Sequence, residues 1–131
     1  MDKLFIEKTD NSPEVILDCN ANIYHVIGES RPENVRKFYE PVFNWFQLFF
    51  DKQYVLNNTK EIKIKFFLEY FNSTSAKIIF DLFNYLKQQQ DSYSFNIIIL
   101  WEYDQEDIDM LEAGKELERL TQLKFEYIIS A

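Results

Sequence analysis

The hydrophobic period of this sequence changes at Asn72, and this change constrains the fold more than any other feature. Over residues 60–71 apolar and polar side chains alternate, which is typical of a β-strand. From Ser73 apolar residues recur at every third or fourth position up to the polar run at residues 87–90, which predicts a helix. The apolar, β-branched run at residues 93–101 predicts another strand. This order favours parallel pairing of the two strands through a right-handed crossover.

The alternation over residues 60–71 assigns side chains to two faces of the predicted strand. One face carries Ile62, Ile64, Phe66, Leu68 and Tyr70, and the other carries Lys63, Lys65, Phe67 and Glu69. The C-terminal half is apolar on both faces, so the strand is predicted to lie in the centre of the sheet. The helix that follows is predicted to face inward through Ala76, Ile79, Phe80, Phe83 and Leu86.

The N-terminal half contains three short β-type runs and a helical segment. The β-type runs predict a strand and a hairpin at residues 4–6, 15–17 and 23–27. A helix is predicted after them, with Ser30 as its N-cap, an end near Asp51, and a bend or break at Pro41. The apolar face of this helix is formed by Phe38, Val42, Trp45, Phe46 and Phe49.

The C-terminal part adds a helix and a last strand. Residues 107–120 have helical periodicity and residues 125–129 indicate a strand; the inward residues of the helix are predicted to be Ile108, Leu111, Leu117 and Leu120. Together the elements predict an α/β fold, a small sandwich in which a mixed β-sheet carries helices mainly on one face. At 131 residues the chain is expected to form one domain, residues 1–131.

Charge and cysteine content disfavour several classes of function. The formal net charge is −8 at pH 7, which argues against nucleic-acid or anionic-membrane binding. The only cysteine, Cys19, and the only histidine, His25, cannot form a disulfide or a soft-ligand metal site, so no metal or cofactor is expected. The N-terminus lacks a signal-peptide pattern and no apolar run is long enough to span a membrane, so a cytoplasmic location is expected.

The sequence Asn72-Ser73-Thr74-Ser75 places three consecutive hydroxyls where the predicted strand ends and the predicted helix begins. A helix N-terminus has unpaired N–H donors and the positive end of the helix dipole, so a phosphate is well tolerated there. Asn, Ser and Thr are also the commonest N-cap residues, so capping alone explains the same pattern.

Signals for catalysis are weak. The sequence has no Gly-rich phosphate loop and no Ser or Cys nucleophile with a plausible His partner, so the chain is not expected to be an enzyme. The alternative is a small ligand-binding domain or enzyme that uses carboxylates near Glu69, Asp81 and Asp104. The acidic tract at residues 102–118 does not fit a calcium-binding loop and indicates a solvated face or a surface for a basic partner.

Four segments, in their order and spacing, resemble the SiaC-type regulatory phosphoproteins. They are TDNSPEV at residues 9–15, GESRPEN at 28–34 followed by FYEP at 38–41 and Trp45, LEYFNSTSAK at 68–77, and WEYD at 101–104 leading into DIDMLE at 107–112. This family consists of bacterial biofilm regulators similar to the STAS domains of anti-sigma-factor antagonists. The resemblance spans nearly the whole chain and implies a STAS-like fold.

The resemblance also implies a switch. A dedicated Ser/Thr kinase phosphorylates a hydroxyl just after the Asn, a PP2C-type phosphatase removes the phosphate, and the unmodified form binds and activates a diguanylate cyclase in c-di-GMP signalling. Carried onto this chain, the phosphorylated residue is expected to be Ser73, with Thr74 as the second choice and Ser75 as the third. The partner-binding surface is expected to include Tyr70, Phe71, Asn72, Ser75 and Lys77.

Overall fold

The computed structural model describes residues 1–54 and 61–131. Within these residues the strands are β1 Leu4–Ile6, β2 Glu14–Asp18, β3 Ile23–Ser30, β4 Glu61–Phe71, β5 Asn96–Tyr103 and β6 Lys124–Ile129. The α-helices are α1 Val35–Leu48, α2 Ser73–Tyr93 and α3 Ile108–Thr121, and α1 continues into a π-helical segment, Phe49–Tyr54. Lys60, the first residue of the predicted central strand, lies outside the described residues.

The strands of the described residues form one mixed sheet in the order β1-β2-β3-β4-β5-β6. β1 and β3 each pair antiparallel with β2, whereas β3 through β6 pair in parallel. The predicted antiparallel edge, the parallel pairing of β4 with β5 and the central position of β4 are therefore confirmed. Because β3 to β6 run in one direction, their C-terminal ends lie at a single edge of the sheet.

The helices cover one face of this sheet. On the covered face Ile64 pairs with Ile99, and both are at most 1% exposed within the hydrophobic core. On the other face Lys65 and Leu100 pair with each other and are only half-buried. His25 also lies on that open face, where its Nε2 is 2.9 Å from a Glu14 carboxylate oxygen. The predicted α/β sandwich with helices mainly on one face is confirmed.

A register shift changes which face the end of β4 presents. Strands β3 and β4 lose their one-to-one pairing between Gly28 and Glu29, where β4 contains one extra residue. After the shift, the ring of Phe71 packs edge-on against Trp101 in the core, while Tyr70 is 50% exposed. The prediction that Tyr70 lies on the same face of β4 as Phe66 and Leu68 is wrong, because the extra residue reverses the alternation.

Helix α1 begins at Val35, later than predicted. Asn34 is its N-cap, and the Asn34 side chain accepts a backbone N–H from the first turn at 3.0 Å. Ser30 is instead the fully buried last residue of β3, so its prediction as the N-cap is wrong. The α-helix continues past Pro41 without a break, and the predicted end at Asp51 falls within the π-helical segment.

Helices α2 and α3 begin within one residue of prediction, but α2 is longer than predicted and the inward faces of both are rotated. Helix α2 continues past the predicted polar end to Tyr93, and its buried residues are Ser75, Ile78, Ile79, Leu82, Phe83 and Leu86. In α3 the side chains of Ile108 and Leu120 are 58% and 48% exposed, so their predicted inward position is wrong. The buried residues of α3 are Met110, Gly114, Leu117 and Thr121.

Close contact with Trp101 determines how α3 packs on the sheet. The Trp101 indole Nε1 donates a hydrogen bond to the carbonyl oxygen of Met110 at 2.9 Å. The same indole lies against Gly114 so closely that an ideal Cβ at position 114 would be 2.6 Å from two ring atoms. A residue without a side chain is therefore required where α3 crosses this ring.

We expect Gly114→Ala to destabilise the protein despite the better helix propensity of Ala. Overpacking against Trp101 outweighs the propensity gain, so the free energy of unfolding should fall by about 1–2 kcal/mol. Urea denaturation followed by Trp fluorescence measures this change. Lys115→Ala, at the exposed neighbouring position, is the control and should change stability by less than about 0.5 kcal/mol. A Gly114→Ala protein as stable as the control would contradict the packing argument.

Candidate functional site

Helix α2 begins directly at the end of β4, at the edge of the sheet where the parallel strands end. Asn72 is its N-cap, and the Asn72 Oδ1 accepts the backbone N–H of Ser75 at 2.8 Å. The backbone N–H of Asn72 donates to the carbonyl oxygen of Ser30 at 3.2 Å. The helix start is therefore tied both to its own cap and to the end of β3.

The three hydroxyls after Asn72 occupy two different environments. Ser73 and Thr74 are exposed in the first turn of α2. Ser75 is fully buried; its hydroxyl donates to the Ser30 carbonyl oxygen at 2.7 Å and accepts from the Ser30 hydroxyl at 2.9 Å. An α-helix turns by about 100° per residue, so the step from Thr74 to Ser75 carries the side chain from solvent to the sheet.

Tyr39 of α1 completes a buried hydroxyl network that consists of Ser30, Tyr39 and Ser75. The Tyr39 hydroxyl is 2.7 Å from the Ser30 hydroxyl. Because the Ser30 hydroxyl donates to Ser75, Tyr39 is the donor to Ser30. Burial raises the pKa of Tyr39 to about 12, so the phenol keeps the proton that it donates to Ser30 near neutral pH. The network joins β3, α1 and α2.

A shallow cavity of about 280 Å³ lies between the end of β4 and the start of α3. Its lining includes Tyr70, Phe71, Asp107 and Met110. Tyr70 is 50% exposed, and Ile108 of α3 is 58% exposed next to the cavity residue Asp107. An exposed apolar surface bordered by carboxylates is a pattern that suits contact with another protein.

Ion pairs flank the start of α2. The Nζ of Lys77 is 2.7 Å from the Asp81 Oδ1 and 5.7 Å from the centroid of the Phe80 ring. At the end of β3, the Arg31 Nε is 2.8 Å from the Glu29 Oε2. Lys77 and Arg31 are therefore each paired with a carboxylate that is close to them in the sequence.

The predicted partner-binding residues do not all reach the surface. Tyr70 and Lys77 are exposed, and Phe71 and Asn72 are half-buried. Ser75 is buried under the helix start, so direct contact with a partner would require the first turn of α2 to open. In the folded protein Ser75 supports the surface from beneath.

The carboxylates of the alternative, ligand-binding hypothesis make separate contacts. Glu69 pairs with Lys8 at 3.8 Å, Asp81 pairs with Lys77, and Asp104 accepts a backbone N–H of its own loop at 2.9 Å. Within residues 1–54 and 61–131, no group of three or more His, Cys, Asp or Glu side chains is placed to hold a metal ion. The helices in that part of the chain also include none long and apolar enough to cross a membrane.

Comparison with known proteins identifies the family of this chain. The model of a family described as SiaC family regulatory phosphoprotein matches residues 6–130. The chain belongs to the SiaC family. A relative in Pseudomonas aeruginosa strain UCBPP-PA14, an uncharacterized protein, is 23% identical over 116 residues, which are 88% of this chain and 87% of that protein. The predicted family resemblance is thus confirmed.

Two solved structures of the SiaC family have the same fold. The crystal structure of apo-SiaC from Pseudomonas aeruginosa matches with a TM-score of 0.85 at 22% identity, over 98% of this chain and 99% of that chain. The crystal structure of the diguanylate cyclase SiaD in complex with its activator SiaC, from the same organism, matches with a TM-score of 0.85 at 21% identity, over 97% and 99%. The SiaC-family protein therefore has the fold of a regulatory family.

We expect the buried Ser75 hydroxyl to stabilise the fold and the exposed Thr74 hydroxyl not to. Ser75→Ala leaves the buried Ser30 hydroxyl without its acceptor and removes one of the two donors to the Ser30 carbonyl oxygen, so it should lower the free energy of unfolding by about 1–3 kcal/mol. Thr74→Ala, one residue earlier, is the matched control and should change it by less than about 0.5 kcal/mol. Urea denaturation of the two variants measures the difference. Equal stabilities would mean that the network does not support the helix start.

Proposed function

We propose that this protein is a phosphorylation-controlled regulatory module in which Ser73 is the phosphorylated residue. The observation that carries the proposal is the exposed position of Ser73 as the first residue of α2, directly after the cap. The unpaired N–H groups and dipole of a helix start favour a phosphate at this point. The hydrogen bonds of Asn72 and Ser75 hold the helix start against the sheet, so the domain can accept the charge without unfolding.

The environments of the three hydroxyls support an order of preference. Ser73 and Thr74 are both exposed and can reach the active site of a kinase. Ser75 donates to one buried oxygen and accepts from another, so a phosphate on it would have to break the buried hydroxyl network. We therefore propose Ser73 as the acceptor and Thr74 as the second choice, with Ser75 excluded while the helix start is folded.

The partner-binding surface that we propose surrounds Ser73. It includes Tyr70, Phe71, Asn72 and Lys77, together with the exposed side chain of Ile108 across the cavity. A phosphoserine adds about −1.5 to −2 charges and three acceptor oxygens at neutral pH. A partner packed over this surface would have to desolvate that charge, which costs several kcal/mol without a cation to pair it. One phosphate can thus switch binding off without altering the fold.

The partners follow from the family and from its solved complex. Membership of a family of regulatory phosphoproteins supports a Ser/Thr kinase and a PP2C-type phosphatase as modifying partners. A SiaC protein in complex with the diguanylate cyclase that it activates supports a diguanylate cyclase as the output partner. We infer that the chain acts as one STAS-like domain, residues 1–131, by binding in c-di-GMP signalling and has no catalytic activity of its own.

We expect a phosphate on Ser73 in native cells. Trypsin cuts after Lys65 and Lys77, so one peptide, residues 66–77, carries all three hydroxyls. Fragmentation of this peptide by mass spectrometry should localise the phosphate to Ser73. A phosphate on Thr74 alone would correct the acceptor, and detection of only the unmodified peptide under varied growth conditions would reduce the cluster to a helix cap.

We also expect Ser73→Ala to keep the protein in its binding form. Under growth conditions in which the wild-type protein is phosphorylated and releases a diguanylate cyclase, the variant should retain the cyclase during affinity purification. Ser92→Ala, at an exposed position near the other end of α2, is the control and should behave as wild type. Release of the cyclase from Ser73→Ala to the wild-type extent would remove Ser73 from the switch.

A further inference from the structure

We propose that Lys77 binds the phosphate on Ser73, and that its ion pair with Asp81 breaks when it does so. The inference rests on the proposed phosphorylation of Ser73 and assigns the intramolecular phosphate ligand at that site. In the unmodified protein the Lys77 ammonium is 2.7 Å from the Asp81 carboxylate and 66% of its side chain is exposed. A partly exposed pair of this kind is weak, so the ammonium can move to a stronger partner.

The spacing along α2 gives Lys77 two possible partners. Ser73 lies four residues before Lys77 and Asp81 lies four residues after it, so both face Lys77 along one side of the helix. Opposite charges at this spacing are more favourable when the acidic group is on the N-terminal side of the Lys, in accord with the helix dipole. The present pair with Asp81 has the less favourable order, whereas a phosphate on Ser73 would have the favourable one.

Charge also favours the exchange. A phosphoserine carries about −1.5 to −2 charges near neutral pH, and the Asp81 carboxylate carries at most one. A phosphate on Thr74 would be three residues from Lys77, which is also a spacing at which helical side chains meet. Lys77 is thus placed to bind a phosphate on either exposed hydroxyl.

Lys77 is the cation of α2 closest to Ser73 along the chain, and the first turn of α1, which follows the end of β3, carries two other exposed cations, Arg36 and Lys37. Arg31 at the end of β3 is paired with Glu29, and Lys8 is paired with Glu69 of β4. The nearby start of α3 contributes carboxylates, Asp107 and Asp109, which line the cavity beside Tyr70 and repel a phosphate. Among the described residues of the first two turns of α2, Lys77 is the cation available to it.

The exchange would extend the effect of one phosphate along the helix. Lys77 now lies 5.7 Å from the centroid of the half-buried Phe80 ring and neutralises Asp81. Movement toward Ser73 would uncover the Phe80 ring face and leave Asp81 as an unpaired carboxylate. A partner that binds the unmodified surface would then face an altered distribution of charge and apolar area over two turns of α2, from Ser73 to Asp81.

The test is a ³¹P NMR titration of the full chain with phosphoserine installed at position 73. If Lys77 binds the phosphate, Lys77→Gln should raise the second pKa of the phosphate by about 0.3 pH units. The ¹³C carboxyl resonance of Asp81 should move on phosphorylation in the wild-type protein and stay in place in Lys77→Gln. Both readouts report ion pairing and are unaffected by a change in stability alone.

Two variants act as controls. Lys87 and Asp91 form the same kind of pair, at 3.2 Å, farther along α2, so Lys87→Gln removes an equal charge from the same helix and should leave the phosphate pKa unchanged. Arg31→Gln removes a competing cation that directly follows β3. An unchanged phosphate pKa in Lys77→Gln, or a larger rise in Arg31→Gln than in Lys77→Gln, would overturn the proposal.

The outcome is separate from that of the proposed function, because the phosphate is installed chemically during synthesis of the protein. Native cells that place no phosphate on residues 66–77 would refute the switch even if Lys77 binds an installed phosphate. Native phosphorylation of Ser73 together with an unresponsive Lys77→Gln titration would leave the switch intact and refute the ion exchange.

Discussion

The packing of β4 beneath α2 is the contact on which the other elements depend. The Phe66 ring of β4 meets the Phe83 ring of α2 edge-on, with 5.0 Å between their centroids. A single residue, Asn72, joins the strand to the helix, so the position of the sheet fixes where the helix starts. Modified or contact residues are often carried on loops that a scaffold positions. Here the exposed Ser73 is positioned by the core itself.

One step along the helix divides the hydroxyl cluster between two roles. The hydroxyls of Ser73 and Thr74 are exposed, and none of the described contacts depends on them. Ser75, in contrast, connects α2 to β3 and, through Ser30, to α1. In the switch that we propose, the same residue types in one short segment would serve stability and regulation separately. This separation allows a charge to be added at Ser73 while the buried bonds stay intact.

Sequence patterns predicted the parallel centre of the fold because alternation in β4 and helical spacing in α2 are both strong. They failed where tertiary contacts determine which side chains are exposed. The exposure of Tyr70 depends on one extra residue in β4, which leaves no mark in composition, and Ile108 points outward because Trp101 requires Gly114 at the helix crossing. At the site, the sequence pattern predicted that the hydroxyls of Ser73 and Thr74 lie at the start of a helix. The burial of Ser75 and its link to Tyr39 follow only from the rotation of α2 on the sheet, because Ser30 and Tyr39 each lie next to charged residues in the sequence and nothing there marks them as buried.

The carbonyl oxygen of Ser30 limits how this site can move. It accepts the backbone N–H of Asn72 at 3.2 Å and the hydroxyl of Ser75 at 2.7 Å, and both donors belong to the helix start. Fraying of the first turn of α2 would remove both donors at once and leave the buried carbonyl oxygen without a hydrogen bond. This loss would oppose local unfolding of the helix start. In the switch that we propose, a phosphate on Ser73 would therefore act through the electrostatics of the surface while the first turn of α2 stays folded.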